Sequence, residues 1–82
     1  MSSSIDAFAE YVRIELELGF TFASIATNAR EEERFIRNRE HVRRVCQTVR
    51  HFMGRVSQSR RIEFSEILSD LEGKLLDLDR QR

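Results

Sequence analysis

Glu15 is the residue with most chemical potential in this chain, because it sits among Tyr11, Val12, Ile14, Leu16, Leu18 and Phe22. On a helix it falls near the centre of a broad apolar face. A carboxylate there needs an arginine partner, a hydrogen bond from Tyr11, a proton of its own, or solvent reaching it at an interface. Acid–base catalysis would also need a second polar group converging on it, and the sequence supplies none. His41 and His51 are ten residues apart, which turns them about 80° from one another on one helix. They cannot share a metal ion, and no Glu-x-x-His pair of the di-iron kind occurs. Cys46, the one thiol, excludes an intrachain disulfide and lies at the edge of an apolar row, where a buried, inert thiol is expected. No catalytic, cofactor or metal residues are assigned, and no enzyme activity is expected.

The other constellation is cationic. Between residues 30 and 56 there are eight arginines against four glutamates, while 5–27 carries a net charge of −3 and 62–80 of −4. Arg37, Arg44 and Arg55 line one flank of this segment, and Arg39, Arg43 and Arg50 line the other. Phosphate contacts by Arg37, Arg44, His51 and Arg55 would make the chain a nucleic-acid-binding module. The overall pI of 6.7 and the two acidic segments favour an internal use instead, with acidic helices covering a basic central one.

The elements that position these groups are helical. The chain has no proline, and its glycines, Gly19, Gly54 and Gly73, are isolated. Ile5, Phe8, Val12, Leu16, Gly19, Ala23 and Ala26 form one row at steps of three and four. Tyr11, Ile14, Leu18, Phe22 and Ile25 form a second row beside it. Together they span about 200° of the helix circumference, so this helix needs neighbours on more than one side. Gly19 serves either close helix approach or a ligand groove. The second segment has a narrower stripe, Phe35, Val42, Val45, Cys46, Val49, Phe52, Met53 and Val56, with Asn38 among them; Ile36 lies off it. The third places Phe64, Ile67, Leu68, Leu71, Leu75 and Leu78 on one face.

Ser3 with Asp6, Asn28 with Glu31, and Ser59 are plausible N-caps, giving helices over about 4–27, 29–56 and 60–80. Glu33 with Arg37, Glu40 with Arg44, and Asp70 with Lys74 are spaced for pairs within a helix. Short connections force antiparallel neighbours. The expected fold is all-α, a single domain over 1–82 forming an antiparallel up-down-up three-helix bundle. A domain of this size has marginal stability, so completion by self-association is expected.

Leu18, Gly19 and Phe22 resemble the Leu-Gly-x-x-Tyr spacing in the first helix of tetratricopeptide repeats. Glu15 departs from that pattern where the family tends to place a large aromatic, both helices are too long for a repeat of about 34 residues, and no closing proline follows. The resemblance implies a protein-binding helical hairpin, extended here by a third helix. The expected function is a small non-catalytic interaction or adaptor module that forms a homodimer through Tyr11, Ile14, Leu18, Phe22 and Ile25 and engages another protein or peptide. Which of the two rows lies outside is not decided by periodicity. The start of the chain lacks signal-peptide features, and its most apolar stretch is far shorter than the roughly 20 residues a membrane span requires. A cytoplasmic location, no cofactor and no membrane partner are therefore expected.

Overall fold

A computed structural model describes the backbone of residues 3–81 and the side chains of residues 7–81. The chain is all-helical, with α1 (Ser3–Thr27), α2 (Glu32–Phe52), a single 3-10 turn (Met53–Arg55) and α3 (Gln58–Gln81). There is no strand among the described residues.

The helix boundaries follow from where polar side chains are spent. Asn28 does not cap α2: its Nδ2 donates to the Ser24 carbonyl at 2.9 Å, and the Thr27 hydroxyl donates to that of Ala23 at 2.8 Å, so both satisfy the carbonyls left over at the end of α1. The residue at the α2 N-cap is Glu31, in extended backbone and without a side-chain cap bond. Glu32 and Glu33 supply first-turn negative charge instead. α2 tightens into the 3-10 turn after Phe52, short of residue 56. Arg61 closes this corner by donating to the carbonyls of Val56 at 2.9 Å and Gly54 at 3.3 Å. Ser57, rather than Ser59, accepts the first amides of α3, from Arg60 and Arg61. The Ser3–Asp6 cap lies outside the described side chains.

Each helix pair is in contact around one thin core, in a molecule measuring 47 × 17 × 16 Å. α1 contributes mainly small residues, with Ala9, Val12, Leu16, Ala23 and Ala26 at most 2% exposed. α2 brings Phe35, Val42, Val45 and Val49, and α3 brings Phe64, Leu68, Leu71 and Leu78. Gly19 marks the closest approach. A Cβ built there would lie 2.5 Å from Leu71 Cδ2 and 2.9 Å from Val45 Cγ1, so glycine lets α1 seat against α2 and α3 together.

Contacts pair distant parts of the helices in reverse order. Phe8 and Tyr11 meet Phe52, whereas Phe22 meets His41. Arg43 reaches Asp79 at 2.8 Å, and Arg50 binds Glu72.

Candidate interaction surface

The two apolar rows of α1 separate cleanly. The row of Val12, Leu16, Gly19, Ala23 and Ala26 enters the core. Tyr11, Ile14 and Leu18 remain 42%, 44% and 43% exposed. Phe22 and Ile25 extend the same outer row and are half-buried. The division has a steric cause, since glycine and alanine permit short interaxial distances and the bulky Tyr, Ile and Leu do not.

Between the outer row and α2 runs an aromatic seam. The Tyr11 ring meets Phe52 edge-on at 5.3 Å, Phe8 stacks beside the same ring at 6.1 Å, and Phe22 lies 4.6 Å from the His41 ring. Shallow depressions flank the seam, one of about 260 Å³ against Ala7, Phe8, Tyr11 and Phe52. The other, of about 440 Å³, lies against Phe22, Ile25, Arg34, Arg37, Asn38 and His41. Glu15 is half-buried on this face and makes no ion pair or hydrogen bond among the described residues. Neither an arginine nor the Tyr11 hydroxyl reaches its carboxyl group among the described residues.

α2 borders the seam with its own row. Arg37 stands 3.8 Å from Glu33, one turn earlier, with 61% of its side chain exposed. Arg44 has no carboxylate partner among the described residues, because Glu40 turns instead to Arg43 at 3.3 Å and Arg39 at 3.9 Å. His51 is exposed and meets the Phe52 ring edge-on at 5.0 Å. Arg55 has no carboxylate partner among the described residues and lies over the Phe8 and Phe52 rings at 5.6 and 5.8 Å, a favourable cation–π arrangement.

The opposite flank of α2 is neutralised. Arg39 and Arg43 share Asp79 and Arg50 takes Glu72, all through α3. The expectation that acidic helices cover both arginine flanks therefore holds on one side only. α1 does not cover the other, because its Glu10 and Glu17 are bound by its own Arg13. Its contact with α2 is apolar and aromatic.

Cys46 is 5% exposed, and burial, reinforced by nearby Glu72, pushes its thiol up to about 11. It is a neutral thiol at physiological pH and not a nucleophile. Among the described residues no three His, Cys, Asp or Glu side chains gather as a metal site, and no helix is long and apolar enough to cross a membrane.

Two exposed residues escaped the sequence reading, Ile62 and Leu76 of α3, at 67% and 52% exposure. Their signal was present, since both fall off the helical row through Phe64, Leu68, Leu71 and Leu78. No family model, curated protein or solved structure matches the chain.

Proposed function

We propose that this chain is a small non-catalytic interaction or adaptor module, an antiparallel up-down-up three-helix bundle that self-associates through the outer row of α1, a homodimer being the smallest product. The observation that carries the reading is the contiguous exposure of Tyr11, Ile14 and Leu18 at 42–44%. Continued by Phe22 and Ile25, the row spans fifteen residues, about 21 Å of helix. Apolar rows of this length on a small soluble chain mark contact surfaces. The reversed order of the contacts from α1 to α2 and from α2 to α3 supports the bundle topology. A compartment without strong oxidants suits the single buried thiol and agrees with a cytoplasmic location.

The test is solution mass by light scattering over a range of concentrations, for the native chain and for Leu18→Lys. The native mass should rise above the 9.7 kDa of one chain, and Leu18→Lys should return it to that value with helix content unchanged. A native chain that stays at single-chain mass up to millimolar concentration overturns the reading. A second reading, phosphate contact by Arg37, Arg44, His51 and Arg55, is favoured by Arg44 and Arg55 having no carboxylate partner among the described residues. It requires binding to a labelled nucleic-acid duplex that weakens steeply with added salt.

A further inference from the structure

We propose that the occupant of the α1–α2 surface is the outer face of α3 from a second copy of the chain, so that copies associate head to tail. This rests on the reading of the α1 row as a self-association surface and names what that row meets.

The first support is the construction of the α1–α2 hairpin. It has two faces, and each combines apolar side chains from α1 with three arginines from α2 or the 3-10 turn that follows it. One face holds Leu16, Gly19 and Ala23 beside Arg39, Arg43 and Arg50, and an acidic amphipathic helix, the chain's own α3, covers it through Asp79 and Glu72. The other holds Tyr11, Leu18 and Phe22 beside Arg37, Arg44 and Arg55 and is uncovered. A surface built from the same parts takes the same kind of ligand, a helix with a carboxylate edge and an apolar stripe.

The second support is that the chain displays such a helix face. Outward on α3 lie Ile62 and Leu76, both more than half exposed, with Gly73 between them, where an added Cβ would meet nothing within 4 Å. Along its edge stand Glu66, Asp70 and Asp77, which form no ion pair among the described residues. Ile62 and Leu76 are fourteen residues apart, as are Tyr11 and Ile25, so both stripes measure about 21 Å. The flat stretch at Ser69 and Gly73 leaves room for the bulky Leu18 and Tyr11 side chains.

The third support is charge. The sequence is neutral overall, but among the described residues Arg44 and Arg55 stand without an ion-pair partner on the α1–α2 side, and on α3 Glu66, Asp70 and Asp77 do so alongside Lys74 and Arg80. Packing α1 against α1 in a two-fold dimer would set the Arg37, Arg44 and Arg55 rows of both copies at one interface, with only Glu15 and the Glu33 that already faces Arg37 to offset them. Meeting α3 instead puts opposite charges together. Different patches on the two partners make a heterologous contact, which closes as a ring or grows as a chain.

The experiment uses two variants altered at exposed positions, Leu18→Lys on the α1 surface and the pair Glu66→Lys and Asp70→Lys on α3, each checked for native helix content. Sedimentation equilibrium should show each variant alone weakened in self-association by about tenfold or more. Mixed, they should form a discrete one-to-one complex, because each keeps the surface the other has lost while the two altered surfaces repel. If the α3 variant associates like the native chain and the mixture gives no new complex, the head-to-tail contact is overturned and a two-fold α1 contact stands. A native chain that is monomeric throughout overturns both that contact and the self-association reading.

Discussion

Replacing Gly19 with alanine tests the packing on which every surface assignment depends, and a second glycine supplies the control. In a helix interior, alanine is favoured over glycine by about 1 kcal/mol. Within a single chain Gly73 in α3 experiences only that effect, since a Cβ there meets nothing within 4 Å; Gly73→Ala should raise the stability of the dissociated chain by about 0.5–1 kcal/mol. At Gly19 the same methyl group arrives 2.5 Å from Leu71 Cδ2 and 2.9 Å from Val45 Cγ1. Carbon atoms pack comfortably at about 3.5–4.0 Å, so roughly 1 Å must open on two sides. Leu71 is 0% exposed and Val45, 6% exposed, is stiff at its first torsion. Overpacking of this kind costs about 1–3 kcal/mol. Set against the propensity gain, Gly19→Ala should destabilise by up to about 2 kcal/mol and differ from Gly73→Ala by about 1–3 kcal/mol. Urea unfolding followed by circular dichroism reads this as a shift of midpoint at constant slope, measured at one protein concentration because self-association adds its own stabilisation. Leu71→Ala removes the nearer of the two offending methyl groups, leaving Val45 Cγ1, and should make the Gly19→Ala cost about 1 kcal/mol smaller in the double variant. If Gly19→Ala stabilised the chain as much as Gly73→Ala, α1 would not approach α2 and α3 at this point, and the assignment of the Tyr11, Ile14 and Leu18 row to the outside would fall with it.

Two further outcomes concern titrating groups. Cys46, with its thiol pushed up to about 11, should react with a thiol reagent at pH 8 only as fast as the chain opens, and rapidly in denaturant. Because the unfolded thiol ionises near its ordinary value of 9.0, the unfolded state loses protons first, and stability should decline as pH rises past about 9. Rapid labelling of the folded chain would contradict the burial. Glu10 is held below the ordinary carboxylate range chiefly by its hydrogen bond with Arg13, which outweighs an opposing desolvation and is helped by the charges of Arg13 and Arg60. Its contribution is present above the unfolded value of 4.5 and lost as pH falls through the folded one. The NMR titration midpoint of its side-chain carboxyl should move up in Arg13→Ala; an unmoved midpoint would remove Arg13 as the cause.

Three helices were legible in the sequence because their apolar stripes recur at helical spacing over 22, 22 and 15 residues. What periodicity could not resolve was the choice between two apolar rows on α1, since both have the same period. Side-chain size decides it: Gly19, Ala23 and Ala26 allow three helices to converge, and the Tyr11, Ile14 and Leu18 row cannot enter the same space. Asn28 misled for a different reason. Its amide suits either the start of one helix or the last carbonyls of another, and only the path of the chain gives it to α1. Glu40 was likewise spaced for Arg44, but Asp79 of α3 draws Arg43 and Arg39 into one cluster with Glu40, a tertiary effect that spacing within one helix cannot register.

The sorted charges contribute little to the stability of the single chain. The side chains of Arg43 and Asp79 are 37% and 34% exposed, and those of Arg50 and Glu72 are 67% and 34% exposed; pairs so open to solvent are worth at most about 1 kcal/mol. Their consequence is orientational. The small residues of the inner row of α1 decide which face α3 takes, but an apolar stripe alone does not specify its direction. Carboxylates at Glu72 and Asp79, meeting Arg50 and Arg43 in reverse order, favour one direction for the chain's own α3. On the outer face, Glu66, Asp70 and Asp77 offer Arg44 and Arg55 the same instruction at longer range. A contact oriented this way should lose rate of association with added salt before it loses its apolar core, whereas the internal packing of Leu71 against Gly19 is indifferent to salt.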